Sequence, residues 1–594
     1  MAIKTQKIVA DFETTTTKDD LRVWGVCAVD IETSNTVFLD NNIDSFFKWL
    51  ETKNSVCYFH NLKFDGSYII AYLLDNGYKL SKNHEPKTFE TLISDGGIFY
   101  SITVYFSKEN KKYRKVVFYD SLKKLPFKVS VIAKAFNLPD RKLIIDYDAP
   151  RPVGHELTPE EREYIVNDCR IVAQALKIQL GQNLKKMTNA SDAMSWYKES
   201  IGKQYFEKWF PVFPIELDAD IRKAYKGGYV YLKPEHKNER GLQGMTLDVN
   251  SLYPSVMYNC LLPYGYPVYF EGEPVYDDNY PLYIVKMWCR FELKPGHLPT
   301  IQLKKNRAFI ETEYLTSSNG EIVCMTLTNV DLQLMKDHYN ITCEEYECGW
   351  KFHGAVGMFK AYIDHWSHIK ETSTGALRQL AKLMLNSLYG KFASNPLGKS
   401  KYPVEEDGIV RYYMPDSPGA PKNIKEIEER DRYPVYTAMG AFITAYAREK
   451  TIRSGQAVYD RFIYADTDSL HLIGTEEPEG LEIHPTKLGA WKNEGNFIDS
   501  KYIRAKTYME TTHEVTDTSL KSYCKMLNIA DLVWVESNET HAHVTKITCA
   551  GMPDNVKAEV TYDNFTPGES FYGKLMPKTY PGGVLLEPGY FTIR

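Results

Sequence analysis

Hydrophobic and polar positions alternate at the start of the chain. Ile8-Val9-Ala10-Asp11-Phe12-Glu13 predicts a strand with Asp11 and Glu13 on one side. Ile69, Ile70, Leu73 and Leu74 recur at helical spacing and Gly77 closes the run, which predicts a helix over 64–74. Thr158-Pro159-Glu160-Glu161 combines a Thr cap, proline at the first helical position and a glutamate three residues past the cap. A helix is expected from there to about Leu180, carrying Tyr164 and Asp168 on one face. These elements outline an α/β unit in the first ~190 residues.

Tyr225-Lys226-Gly227-Gly228 then reads as a glycine-pivoted joint, followed by the apolar strand Met245-Thr246-Leu247 that ends on Asp248. Residues 261–357 are rich in Pro, Gly and aromatics and read as an inserted subdomain; two helices follow. On a wheel of the second, Leu377, Leu380, Ala381, Met384 and Leu388 share a ~100° sector, and Arg378, Lys382, Asn386 and Tyr389 a ~80° sector on the far side. The polar stretch 394–433 holds Pro396, Pro403, Pro415, Pro418 and Pro421, the mark of a second insertion or long hairpin. Phe462-Ile463-Tyr464 and Leu470-His471-Leu472 flank Asp466-Thr467-Asp468, which predicts a hairpin tip with both aspartates on one face. From Pro553 onward a small β-rich appendage is expected.

At 594 residues the chain is too long for one core. Its 43 tyrosines fit either base-stacking surfaces or a tyrosine-rich core. A net charge of −5 does not announce a nucleic-acid binder. From Lys108 to Lys134, however, nine Lys/Arg stand against two acids. That stretch is either a stripe for a phosphate backbone or a solvated face. The ten cysteines lack zinc-ligand spacing and fit free thiols in a reducing compartment. No secretory leader or membrane span is expected.

The chemistry lies in two acidic sets. Asp248, Asp466 and Asp468 converging from two strands can hold a pair of divalent metals, Mg²⁺ with Mn²⁺ as a substitute, at about 3.5–4 Å. One ion would activate a 3′-hydroxyl and the other neutralise pyrophosphate. The cationic helix face lacks acids: Arg378 and Lys382 suit triphosphate oxygens. Tyr253 and Tyr389 would pack against base and sugar, and Tyr253 would exclude a 2′-hydroxyl. Lys506-Thr507-Tyr508 places a cation and an aromatic on one strand face for the primer end. The second set is Asp11, Glu13, Asp65 and Asp168 with Tyr164, a metal pair for hydrolysis of a terminal phosphodiester. Asp65 in Asn61-Leu62-Lys63-Phe64-Asp65 is either a ligand or part of a helix cap.

With Asp248-Val249-Asn250-Ser251-Leu252-Tyr253-Pro254, Lys382 to Gly390 and Tyr464 to Ser469 in order, the chain resembles the family B DNA polymerases, specifically the protein-primed phi29-like phage group. Tyr58-Phe59-His60-Asn61-Leu62-Lys63-Phe64-Asp65-Gly66 is similar to that family's second exonuclease motif, and Asp120-Ser121-Leu122-Lys123-Lys124-Leu125-Pro126 to its single-strand-binding motif. Tyr225 to Gly228 is similar to its YxGG joint. The resemblance implies an α/β and α+β multidomain fold. An RNase H-like (DEDD) exonuclease would be followed by a right-hand palm, fingers and thumb with two insertions. The implied division is exonuclease 1–189, palm 190–260 and 435–548, insertions 261–358 and 395–434, fingers 359–394, and thumb 549–594.

The resemblance also assigns roles. Thr14, Tyr58, His60, Asn61, Phe64, Ser121, Leu122, Tyr225, Gly227, Gly228, Lys506 and Tyr508 would contact DNA. Lys142 would be a catalytic lysine. Lys370, Arg378, Lys382 and Asn386 would serve the nucleotide, as would Val249, which joins Asp248 and Asp468 at the metals. The family often has Lys where Arg378 stands. The first insertion would meet a priming terminal protein, and the second would close around DNA for processivity and strand displacement. The expected partners are template and primer DNA, dNTPs and terminal protein, for a monomer in the host cytoplasm replicating a linear genome. Two other readings stay open: a polymerase using an ordinary primer, and a nuclease with a non-catalytic DNA-binding half.

Overall fold

The structure, a computed structural model, describes residues 5–109, 112–302, 314–429, 432–512, 515–516, 532–538 and 541–594. The chain builds two large sheets, each covered by helices, with smaller β units between and after them.

The N-terminal sheet has eight strands. Across it run Thr36–Asp40, Val23–Asp30, Gln6–Thr14, Ser55–Phe59, Lys112–Asp120, Phe99–Glu109, Thr88–Ile93 and Lys79–Leu80. The strand Gln6–Thr14 sits inside, antiparallel to Val23–Asp30 and parallel to Ser55–Phe59. One face carries the helices Ile43–Leu50 and Leu62–Asp75, the other Val129–Ala135 and Pro159–Gly181. The helix expected over 64–74 begins two residues earlier, after a left-handed Asn61 (φ 73°). Pro159–Gly181 carries the expected capping box: Thr158 accepts from Glu161 N, and the Glu161 carboxylate accepts from Thr158 N.

The central sheet has nine strands, with Gly244–Val249 between Ser469–Ile473 and Trp491–Arg504, antiparallel to both. Phe462–Asp466 and Val230–Leu232 extend it on one side, and Thr507–Thr512 and His541–Cys549 on the other. The long helices Gly375–Phe392 and Thr437–Ala457 bury their apolar faces in the largest core. Ala381, Met384 and Leu388 are buried there, but Leu377 is 37% exposed, because the core on that face begins one turn later, at Ala381. Ala376 and Leu380 turn to the N-terminal core, so this helix joins the two units.

Within 261–357 lies a four-stranded sheet ordered Leu262–Glu271, Tyr339–Ala355, Leu282–Leu293 and Val323–Thr328. Within 395–434 lies the hairpin Tyr402–Glu406/Ile409–Tyr413. The C-terminal hairpin Ser570–Tyr580/Gly583–Thr592 packs with the helix Asp554–Lys557.

The basic stretch is not one surface. Lys124 is fully buried and donates to Leu184 O, Lys186 O and Asp192 Oδ2. Lys124 follows the short helical turn Ser121–Lys123, and its ammonium can be buried because two carbonyls and a carboxylate receive it.

Candidate nucleotide site and a second acidic site

Gly244–Val249 runs apolar until Asp248, and the chain then breaks at Ser251 (φ 57°) into the helix Leu252–Asn259. Asp248 pairs with Ser469 across the sheet, and Val249 N donates to Asp468 O at 2.8 Å. The two aspartates are thus brought side by side. Burial, then Asp468 and then Glu494 push the Asp248 carboxyl up to about 7, opposed by Lys492 and Lys546. Asp468 is also raised, chiefly by burial. Acids crowded in this way favour a bound cation.

Asp466 is different. The residue between the aspartates, Thr467, is left-handed (φ 60°), so strand alternation fails at the tip and the two carboxylates part. Asp466 accepts from Lys506 Nζ at 2.8 and 3.0 Å and from Tyr464 Oη at 3.2 Å, and it does not line the cavity. Lys506 lies in a turn (φ 56°) rather than in a strand, whereas Tyr508 is buried against Tyr502 and Tyr464. The expected shared face of Lys506 and Tyr508 is therefore not formed.

Asp248 and Asp468 open into a cavity of about 780 Å³. Its other wall is the polar face of Gly375–Phe392 together with the preceding helix: Lys370, Arg378, Lys382, Asn386 and Tyr389. Tyr389 stacks on Tyr253 with centroids 4.0 Å apart. Lys370 Nζ donates to Ser251 Oγ at 3.1 Å, and burial with the nearby Lys382 and Arg378 lowers its pKa. The Gly227–Gly228 joint lies against the aspartate hairpin. A Cβ on Gly228 would meet Thr467 Oγ1 at 2.5 Å, and Thr467 N donates to Tyr229 O at 2.7 Å.

The second site forms where Gln6–Thr14 meets Pro159–Gly181. A cavity of about 210 Å³ is lined by Asp11, Glu13, His60, Lys142, Tyr147, Tyr164 and Asp168. Burial and then Asp168 raise Asp11 to about 7; Glu13 and Asp65 lie well above the usual carboxylate range, again from burial first. Asp65 stands in the first turn of its helix, within the field of Asp11 and Glu13. Lys142 Nζ donates to Asp168 Oδ2 and, at 3.2 Å, to Tyr164 Oη, whose other neighbour is Tyr147 Oη at 2.5 Å.

Among the DNA-contact candidates, His60 bonds to Ser121 Oγ and Phe127 O, and Asn61 N donates to Asp120 Oδ1. Tyr58 and Ser121 are buried, so neither presents a side-chain surface. Tyr58 lies in the core because its strand is covered on both faces. Leu122 instead lines a third cavity of about 830 Å³, where the N-terminal unit faces Ser387, Lys391 and Arg432. Thr14 and Phe64 are half-buried at the ends of their elements, as is Tyr225.

Among the described residues no three Asp, Glu, His or Cys side chains converge as a ready-made metal cage. The donor chemistry nevertheless fits a hard divalent cation. Asp65 Oδ1 and Asp168 Oδ1 are buried without any hydrogen-bond partner, and raised acids flank them. Sequence reasoning missed Tyr147, Lys492 and Glu494. For the last two a signal existed, since charges alternate directly after the apolar Trp491.

An acid-lined cavity on an antiparallel sheet, faced by a cationic helix and stacked tyrosines, has the chemistry of a nucleotide polymerase. The chain belongs to the family described as DNA polymerase type B, organellar and viral, which matches residues 48–153 and 145–484, and within it to the phi29-like phage group. It is 45% identical to the DNA polymerase of Bacillus phage phi29 over 588 residues, 98% of each chain. To the DNA polymerase of Bacillus phage PZA it is 46% identical over 587 residues, 98% of this chain and 99% of that one. Its structure matches phi29 DNA polymerase complexed with primer-template DNA and incoming nucleotide substrates at a TM-score of 0.90. That match has 44% identity and covers both chains fully.

Proposed function

We propose that the chain is a DNA-directed DNA polymerase with a separate 3′–5′ proofreading exonuclease, protein-primed, processive and strand-displacing. The observation that carries the polymerase reading is the side-by-side placement of Asp248 and Asp468 opposite Lys370, Arg378 and Lys382. Template, primer and dNTP are carried over from the phi29 complex.

In this reading Asp248 and Asp468, with Val249 beside them, hold the metals of the central site, and Asp11, Glu13, Asp65 and Asp168 those of the second. Bound there, magnesium would activate the 3′-hydroxyl and neutralise pyrophosphate in one site, and activate water in the other. Lys370, Arg378 and Lys382 grip the triphosphate, and Asn386 sits one helical turn beyond them. Tyr253 and Tyr389 form a stacked floor for sugar and base, and Tyr253 is assigned the exclusion of a 2′-hydroxyl. Asp466 acts by holding Lys506 at the primer end. At the second site Lys142 orients Asp168 and Tyr164, and Tyr164 orients the terminal phosphodiester.

Residues 1–189 are assigned to the exonuclease, 190–260 and 435–548 to the palm, 359–394 to the fingers and 549–594 to the thumb. The insertion 261–358 is assigned to terminal-protein contact and 395–434 to processivity, in a monomer acting in the host cytoplasm. Among the described residues no helix is long and apolar enough to cross a membrane.

Asp468→Ala is expected to abolish primer extension while sparing exonuclease activity, and Asp11→Ala to do the reverse. Loss of both activities in either folded variant would reject two separate sites. Long displaced products from a nicked circle, without accessory proteins, test strand displacement.

A further inference from the structure

Lys492 lines the central cavity but has no place in the roles above. The strand Trp491–Arg504 sets it directly across from Asp248. Two residues on, Thr246 pairs with Gly495 and Leu247 with Asn493, so Glu494 is the extra residue of a bulge. Bulges beside sites re-aim side chains. This one brings Glu494 to the cavity wall, where its Oε1 accepts from Lys492 Nζ at 2.6 Å. The two side chains are 33% and 30% exposed. A pair so open to water is held weakly, so Lys492 can exchange partners at little cost.

The charges around the cavity give that exchange a direction. Lys370, Arg378 and Lys382 place three cations on the helical wall. The sheet wall opposite bears Asp248, Asp468 and Glu494, and Lys492 is its one cation among the described lining residues. Lys492 also contributes, after burial, Lys382 and Arg378, to the lowered pKa of Lys370, so the two amino groups share one neighbourhood. On the polymerase reading, a triphosphate gripped by Lys370 would enter that same neighbourhood. Its charge exceeds that of the Glu494 carboxylate, and charge-assisted bonds to phosphate are strong.

We propose that Lys492 is a nucleotide-contacting residue: paired with Glu494 until a dNTP enters, its amino group then donates to the triphosphate from the sheet side. This rests on the polymerase reading of the central site.

The test is single-nucleotide addition by the full chain on primer-template DNA with Mg²⁺, comparing wild type, Lys492→Ala and Lys492→Arg. The KM for dNTP should rise about tenfold in Lys492→Ala, the size of one charge-assisted hydrogen bond, with a smaller change in kcat. Lys492→Arg should restore most of it. In the reverse reaction the KM for pyrophosphate should rise in parallel, and affinity for primer-template should hold. An unchanged KM for dNTP and pyrophosphate overturns the role. So does a rise in KM that tracks a fall in template affinity or melting temperature, or a failure of arginine to rescue. If the wild-type chain adds no nucleotide, the polymerase reading itself falls. If it adds nucleotide and Lys492→Ala keeps the wild-type KM, only Lys492 loses its role.

Discussion

Asp11 and Asp248 show how a single residue registers its surroundings. Each has a folded-state pKa of about 7 against 3.8 for the free group, because burial and a neighbouring acid penalise the anion. Their folded forms therefore hold protons that the unfolded chain releases. Without divalent ions, their contribution to stability is complete below about pH 4 and is lost as pH rises through about 7. Asp248→Asn should accordingly stabilise the metal-free protein at pH 8 by about 1–2 kcal/mol, discounted for the open cavity, and by less at pH 5. Thermal melts in a chelator at the two pH values check this. A loss of stability at pH 8 would mean that the carboxylate is compensated. Magnesium should recover wild-type stability at pH 8 more than in Asp248→Asn, since a cation replaces the proton. Asp11, Glu13, Tyr164 and Asp168 were legible from strand and helix periods alone. Asp466 was not, because a single left-handed residue, Thr467, turns it away from its partner.

At the scale of elements, one buried ion pair ties three segments together. Arg448, in Thr437–Ala457, bonds Asp331 of the helix Asn329–His338 through both carboxylate oxygens, at 2.8 and 2.9 Å. The same guanidinium donates to Lys226 O and Gly227 O, at the joint that packs on the aspartate hairpin. Arg448→Ala strands a buried carboxylate and should cost about 3–5 kcal/mol in denaturant titration. Because it also frees the joint, it should slow nucleotide addition more than exonuclease cleavage. Adding Asp331→Ala should cost less than the two single changes summed, since each removes the other's partner. Thr158→Ala, which opens the capping box of the Asp168 helix, should cost about 1 kcal/mol. The cap could be read from four residues. The ion pair could not, since its partners are 117 residues apart, and the place of Asp331 three residues after the Thr328 cap gives no hint of a distant arginine.

At the scale of the molecule, separate parts of the chain close on the N-terminal unit. Val410 of the hairpin Tyr402–Glu406/Ile409–Tyr413 and Val584 of the C-terminal hairpin both enter its core. Tyr68 Oη donates to Val584 O at 2.7 Å, and its ring leaves no space for a side chain at Gly583. Lys401 N and Asp95 N exchange backbone bonds with Ile93 O and Lys399 O. Deleting Gly398–Lys425 should leave single-nucleotide addition within about threefold of wild type, because the central site lies elsewhere. Products on a duplex circle should shorten, and the melting temperature should fall, because Val410 leaves the N-terminal core. Unchanged product length would reject the clamp role.

By itself the sequence determined the local periods: which strands alternate, which helix shows cations on one side and apolar residues on the other, and where caps and glycines end each run. Those properties follow from neighbours within a few residues. Tertiary structure alone decided that Asp466 turns from the cavity to Lys506, that Lys124 and Tyr58 are buried, and that Lys492 stands across from Asp248. Each of these depends on strand register and bulges between segments far apart in the chain, where a one-residue shift reverses the face a side chain shows.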